Sequence, residues 1–381
     1  MKRRKKATLL ALSLASFFND VGSDMIFPIW PFFVISIIGA NMAILGFVDG
    51  LGKALVSISQ AVGGYISDRI KKRKLFVWTG YLCGSIARIG YALSPSWHYL
   101  IPFKIIDRGG KVRGAPRDAI LAEISTKKDR GRNFGILRAM DNLGAVVGIL
   151  ICMLLVGFLP VRKIFLIAAL PSLLSALLIY LSIKEVKTGK LYKKVSFRGL
   201  TKNYMIFLLC GSFLSLATFS YSFLLIFVKE LGFQIVTMPL FYLIFTFFAF
   251  LSSTPFGILA DKIGRKKVIA ISIFIYMLMC IGFLMVKSFW LLFVLFIFYG
   301  LYKGGIETSQ RTFVSELCTK ELRATALGGY QMVTGLVALP SSVIAGFLWT
   351  KIGSFSIFIF AISLCILALL TLIFVKEKFN K

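Results

Sequence analysis

One histidine in 381 residues, His98, leaves no His-based metal centre, and six cysteines without a Cys-x-x-Cys pair offer neither a zinc site nor a disulfide framework. Packing is the role expected of the cysteines. Acidic residues are scarce as well, 16 Asp and Glu against 45 Lys and Arg. There is no Gly-Lys-Ser/Thr phosphate loop, no Gly-x-Ser-x-Gly elbow and no His-Glu-x-x-His helix. The chain is therefore expected to be neither an enzyme nor an ATP-driven pump, and no cofactor or metal is expected. Long polar stretches are missing with one exception, Lys184 to Lys202. What remains is apolar: 58% hydrophobic residues, 37 of them Phe, and only 16% charged, a composition that water would not keep in solution.

Crossing a hydrocarbon core of about 30 Å takes roughly 20 apolar residues, and twelve segments qualify: 7–37, 42–67, 75–94, 98–124, 133–158, 163–183, 203–228, 238–260, 268–286, 289–314, 324–349 and 353–375. A net charge of +29 would suggest nucleic acid if the chain were soluble, so the placement of the cations has to decide. With the N-terminus inside, the inner segments hold 30 of the 45 Lys and Arg, while the outer loops hold five: Arg162, Lys163, Lys229, Lys287 and Lys351. That is the positive-inside pattern. It predicts a multi-pass protein of a bacterial or archaeal cytoplasmic membrane with both termini cytoplasmic, and it removes nucleic acid as a partner. The first apolar segment follows Met-Lys-Arg-Arg-Lys-Lys but is too long for a secretory signal and carries Asp20 and Asp24, so it reads as the first span.

The stretch GYISDRIKKRKL at 64–75 returns as GILADKIGRKKV at 257–268, an offset of 193 residues, and each copy follows a long apolar run. Without any gap the same offset lays AEISTKKDRGRNFG (122–135) on SELCTKELRATALG (315–328), sharing Glu123/Glu316, Thr126/Thr319, Lys127/Lys320, Arg130/Arg323 and Gly135/Gly328. Two landmarks in one register point to a 6+6 duplication. The expected fold is an all-α polytopic membrane protein of twelve transmembrane helices in two pseudo-symmetric six-helix bundles. The N-terminal bundle is expected at 1–183, a cytoplasmic linker at 184–202 and the C-terminal bundle at 203–381.

These repeated loops resemble the signature of the major facilitator superfamily, a Gly-x-Leu-Ala-Asp-Arg-x-Gly-Arg-Lys-like turn between the second and third helices that is echoed between the eighth and ninth. Gly257, Asp261, Lys262, Gly264, Arg265 and Lys266 match it closely; the first copy keeps Gly64, Asp68, Arg69, Lys72 and Arg73 but has Lys71 where the family usually has Gly. The resemblance implies that both turns act as cytoplasmic gating latches, the Asp capping a neighbouring helix and pairing with basic residues, an arrangement that helix dipoles and Arg forks would stabilise. More narrowly, FFNDVGSDMIFPIWPFF (17–33), IIDRGGKVRGAPRDAILAE (105–123) and RNFGILRAMDNLGAVVG (132–148) are similar to a bacterial subset known only as permeases of this superfamily, with no substrate assigned.

Charges within spans each cost several kcal/mol unless paired or hydrated, so they mark the candidate central cavity. Asp20 and Asp24 share a face of the first span at i, i+4, and Asp49 and Lys53 do so on the second. Arg88 lies deep in the third, and Asp107, Arg108 and Lys111 follow on the fourth. Arg138 and Asp141 sit at i, i+3 on the fifth, and Lys303 and Glu307 at i, i+4 on the tenth. Arg113, Arg117, Asp118, Glu123, Arg311 and Glu316 are expected nearer the cytoplasmic mouth. Asp20, Asp24, Asp49 and Glu307 are candidates for proton coupling, each with a buried ion pair or helix-end contact as its structural alternative. Asp107–Arg108 and Arg138–Asp141 read as structural or gating pairs. Arg108 stands where many proton-coupled relatives carry Arg-x-x-x-Gly, with Val112 in place of the Gly. Gly144 and Gly148 keep the glycines of an exporter motif without its Pro, and read equally as a small-residue packing face. Pro28 and Pro31 around Trp30 predict a kink in the first span.

The function expected is secondary active transport of a small solute by alternating access, with protons as the coupling ion and efflux by antiport as the direction. The exporters the family resembles and Phe-rich helices that offer apolar contacts motivate that direction. Proton-coupled import by symport is the alternative, and a non-transporting membrane receptor or scaffold a further one. Six cations against six acids in the spans set no charge preference for the solute. A twelve-helix bundle is complete as a monomer, and its other partner is the lipid bilayer.

Overall fold

Apolar runs of this length leave the backbone no water to bond with, and only helices satisfy every N–H and C=O within one segment. The computed structural model is all-helical accordingly among its described residues, 2–70, 72–126, 129–183, 201–286, 288–319 and 322–377. Lys71, Lys127, Lys320 and the linker residues 184–200 lie outside that set, as does the side chain of Asp68. In order, the helices are α1 (Lys2–Asp24), α2 (Trp30–Phe32), α3 (Met42–Ile70), α4 (Arg73–Leu93), α5 (Trp97–Gly109), α6 (Gly114–Ile124), α7 (Arg130–Leu155) and α8 (Val161–Ser182), followed by α9 (Lys202–Ala217), α10 (Tyr221–Glu230), α11 (Met238–Ile263), α12 (Arg265–Met285), α13 (Phe289–Glu316), α14 (Arg323–Lys351) and α15 (Ser356–Ile373).

Two compact units emerge, one of Met1–Ala40, Leu55–Lys193 and Gln234–Pro239, the other of Asn41–Ala54, Lys194–Phe233 and Leu240–Lys381. They follow the two halves of the chain except at α3, whose first turns pack with the second unit, and at the short stretch 234–239. Inside the first unit α1 packs on α7 and α8, and α4 on α8 and α5; inside the second, α9 packs on α14 and α15, and α12 on α15 and α13. The partners correspond one to one, so the sequence duplication is also a duplication of helix packing.

Each unit has a dry core of its own. Leu12, Val77, Ile120, Leu121, Leu137 and Ile179 meet in the first. Phenylalanine rings dominate the second, with Phe283 stacked on Phe358 at 5.0 Å and Phe241 against Phe296 at 4.9 Å. These four rings are buried in packing.

The first helix of each unit is interrupted. α1 stops at Asp24, turns through 25–29 and resumes as α2 and a π-helical segment Phe33–Ile37, with Pro28 in the turn and Pro31 in the first positions of α2, so the predicted kink is present. α9 stops at Ala217, and Ser220 caps the start of α10. α5 and α6 are joined through a tight 3₁₀ turn, Gly110–Arg113.

Nine helices among the described residues are long and apolar enough to cross a membrane, with α9 and α10 counted as one. The other three expected spans, 7–37, 75–94 and 98–124, exist as helices but fall short of that measure. α1 and the α5–α6 pair are broken, and α4 mixes Gly, Ser and aromatic residues with Arg88. Twelve spans is therefore more than length and composition establish.

Candidate functional site

A cavity of ≈190 Å³ opens inside the first unit between α1, the end of α3, α4, the α5–α6 turn and α7. Its polar lining comes from Ser16, Asn19 and Asp20 on α1, Gln60 on α3 and Tyr81 on α4, with Lys111, Arg113 and Arg117 from the turn and α6 and Arg138 and Asp141 from α7. On one wall four side chains close a ring of ion pairs: Arg117 to Asp118 at 3.1 Å and to Asp141 at 3.4 Å, and Arg138 to Asp118 and Asp141 at 3.2 Å each. The ring is electrically neutral and every member is doubly held. Arg117 also donates to Ser16 Oγ at 2.6 Å, and Ser16 is hydrogen-bonded to the Tyr81 hydroxyl at 3.0 Å, which ties α6 and α7 to α1 and α4.

The other three ionisable groups of the cavity are held differently. Arg113 donates to the Gly80 and Gly110 carbonyls at 3.2 and 3.0 Å and lies 4.6 Å over the Tyr81 ring, a structural seat. Asp20 accepts one hydrogen bond, from Asn19 Nδ2 at 2.8 Å, and among the described residues no cation lies within 4 Å of it. Lys111 makes no hydrogen bond or ion pair among the described residues, although it and Asp20 lie in each other's field.

Behind the cavity, Arg88 is buried, donates to Ser23 Oγ at 2.7 Å and to the Asn19 carbonyl at 3.4 Å, and keeps Nη1 without a partner. Asp107 pairs with its neighbour Arg108 at 3.2 Å, as their adjacency predicts. Lys104, only 4% exposed, lies 4.0 Å over the buried Trp30 ring. Trp30 is thus a core residue. Asp24 is buried at the end of α1.

In the second unit the Asp49–Lys53 pair serves the break between α9 and α10. Asp49 accepts from Ser220 Oγ at 2.7 Å and Ser222 Oγ at 2.5 Å at the start of α10, while Lys53 donates to the Thr218 carbonyl at 3.4 Å at the end of α9. Each charge meets the helix end whose dipole it complements. This is the helix-end contact that the sequence left open beside titration. Lys303 lies 5.8 Å over both Phe245 and Tyr299, one helical turn from Glu307.

The repeated turns are built unequally. α11 and α12 are separated by the single residue Gly264 at φ +100°, a conformation that L side chains rarely adopt. In sequence, Lys71 stands where the second copy has Gly264. The difference carries into the ion pairs: Arg265 reaches Glu316 at 3.2 Å and Asp261 at 2.6 Å, while in the first copy it is Arg73 that reaches Glu123, at 2.5 Å, one position beyond the equivalent of Arg265. The Glu377 carboxylate accepts from the backbone N–H of Arg265 at 2.5 Å and of Lys266 at 3.3 Å, capping α12. Lys266 Nζ in return donates to the Ile373 and Val375 carbonyls at 2.8 Å each, capping α15. Gly257 lies on α11 against Thr308, Lys262 and Arg69 are exposed in the last turns of their helices, and Gly64 lies on α3.

Gly144 and Gly148 face the backbone of α1, where an added Cβ would lie 2.4 Å from the Phe17 and Val21 carbonyl oxygens. The small-residue packing face is thus what the geometry contains. Val112, in the place of the family's glycine, packs against Gly63. His98 stacks on Trp97 at 3.7 Å, and among the described residues no cluster of His, Cys, Asp and Glu fits a metal. Sequence reasoning passed over Ser16, Asn19, Gln60, Tyr81 and Lys104. The signal for Lys104 was its i, i+4 spacing to Arg108 within an otherwise apolar run.

A family model described as the Major Facilitator Superfamily matches residues 12–253 and 205–381. Over an alignment of 385 residues the chain is 36% identical to an uncharacterized MFS-type transporter of Methanocaldococcus jannaschii, with 98% of this chain and 96% of that one covered. A multidrug resistance protein, MdtH of Photorhabdus laumondii, is 29% identical over 133 residues, 34% of this chain and 33% of that one. Among solved structures, the nucleoside transporter NupG matches with a TM-score of 0.77 at 17% identity, covering 96% of this chain and 97% of that one. A bacterial homolog of the human lysosomal transporter Spinster, inward-facing and unoccupied, matches with a TM-score of 0.73 at 15% identity, covering 98% and 95%.

Proposed function

Because the chain belongs to the Major Facilitator Superfamily, we propose that this multi-pass membrane transporter moves a small solute by alternating access between two six-helix halves, coupled to protons. Both termini lie on the cytoplasmic side in this reading, which the crowding of Lys and Arg into the corresponding segments supports. The observation that carries the coupling is Asp20. It opens on the cavity with no cation within 4 Å among the described residues, whereas Asp107, Asp118 and Asp141 each sit in an ion pair. Protonating Asp20 breaks no ion pair, so it is the acid best placed to exchange a proton with the cavity.

Outward antiport is favoured by the partial match to the multidrug resistance protein MdtH. Inward symport is the second reading, and the cation excess of the cavity favours it, because a proton on Asp20 leaves that excess unopposed. A pH-sensitive dye inside proteoliposomes separates the two: a solute that enters with its proton acidifies the lumen, and one that exchanges for a proton makes it alkaline. No proton movement with any transported solute would sink the coupling. Wild-type coupling in Asp20→Asn would remove Asp20 from the role.

A further inference from the structure

We propose that the cavity of the first unit is the seat of an anionic group, a carboxylate or phosphate carried by the transported solute, and that Lys111 is the residue that receives it. The inference rests on the transporter reading and adds its substrate class. Counting charges by span gives a balance of six against six, but the geometry breaks that balance. Arg117, Arg138, Asp118 and Asp141 neutralise one another in a closed ring, which leaves Lys111 and Arg113 against Asp20 in the cavity. One positive charge is unopposed while Asp20 is ionised, and two when it is protonated.

Arg113 is spent on two backbone carbonyls and a ring face. Lys111 is spent on nothing: it lines the cavity and has no hydrogen bond or ion pair among the described residues. A cation held inside a membrane bundle without a partner is costly, and its retention calls for a function. The cation field is deepened from behind by Arg88, whose Nη1 is buried and unpartnered. At ≈190 Å³ the cavity is several times the ~30 Å³ share of one water, enough for a planar or tetrahedral anionic group, and Ser16, Asn19, Gln60 and Tyr81 supply neutral donors around it. A cationic solute would instead meet Lys111 directly, with Asp20 as the acid of the lining outside the ion-pair ring that holds Asp141.

The charge arithmetic has a consequence for coupling. An anion on Lys111 repels the Asp20 carboxylate and is attracted more strongly once that carboxylate is protonated, so proton and solute promote each other's binding. Linkage of that sign belongs to symport.

Purified protein in detergent tests the assignment with four probes of similar size and different charge: benzoate, phenyl phosphate, neutral benzyl alcohol and benzyltrimethylammonium, with binding read by calorimetry and thermal shift. The two anions are expected to bind, more tightly as pH falls, and the neutral and cationic probes to bind at least tenfold more weakly. Lys111→Gln breaks no hydrogen bond or ion pair among the described residues and is expected to unfold at or above the wild-type temperature while losing anion binding roughly tenfold or more, the scale of one charge-assisted hydrogen bond. Lys111→Arg is expected to retain it. Equal binding of the cationic probe, absence of binding by both anions at millimolar concentration, or unchanged anion affinity in Lys111→Gln overturns the proposal. Flux in proteoliposomes separates this site from the transport reading: anion binding without flux sinks transport and leaves the site, while flux of a cationic solute alone sinks the site and leaves transport.

Discussion

Replacing Gly264 by Ala tests whether the second repeated turn is held as tightly as its geometry indicates. The residue joins α11 to α12 alone, at φ +100° and ψ 148°, a region in which a side chain costs about 1–3 kcal/mol. A Cβ there would also lie 2.7 Å from Glu377 Oε2 and 3.2 Å from its Cδ, so the whole carboxylate has to move. That carboxylate caps the start of α12 through the Arg265 and Lys266 amides, and a cap of this kind is worth about 1 kcal/mol. Together the two effects predict a loss of about 2–4 kcal/mol, or roughly 5–15 °C in unfolding temperature for a unit of this size. Cys210, Cys280 and Cys365 are free and buried in the second unit, so a thiol-reactive dye reports its unfolding in detergent. Glu377→Ala alone is expected to cost about 1 kcal/mol, because it removes the cap and leaves the backbone unstrained. The double variant should then fall short of the sum by about the same amount, since the cap is lost only once. A wild-type unfolding temperature in Gly264→Ala, or strict additivity in the double variant, would refute the reasoning.

Gly148→Val places carbon against the α1 backbone at Val21 and is expected to cost about 1–3 kcal/mol or more, read by earlier dye labelling of buried Cys152, whereas Gly157→Ala, with open space at its Cβ, is expected to be silent. Asp261→Asn breaks a pair whose acid is 70% exposed, so its effect on stability should stay below about 1 kcal/mol. Its effect on flux should differ from that of Asp68→Asn, because the two turns are built differently, and equal losses of flux would contradict a division of labour between them.

Some of the site was readable because it is local. Arg138 and Asp141 stand one turn apart on a helix, Asp107 and Arg108 are adjacent, and both pairs form at 3.2 Å. Lys71 against Gly264 signalled unequal turns, and among the described residues the ion pairs beside them come from non-equivalent arginines, Arg73 and Arg265. Pairs between helices were not readable. Arg117, expected near the mouth, closes a ring with Asp141, 24 residues away, and bonds Ser16, 101 residues away. Asp49 and Lys53, one turn apart on the second span, reach the two ends of the α9–α10 break through Ser220 and the Thr218 carbonyl, partners 171 and 165 residues away.

By itself the sequence determined the solvent, the helical backbone and the duplication, because apolar run length, hydrogen-bond saturation and a fixed 193-residue offset depend only on the order of residues. The tertiary structure decided which charges cancel. That depends on how each helix is rotated about its axis and how closely glycines such as Gly63, Gly144 and Gly148 let neighbours approach. Helical periodicity places side chains on a face but does not say which face of which neighbour it meets. For that reason six cations and six acids that balance along the chain leave Lys111, among the described residues, without a hydrogen bond or ion pair in the folded cavity.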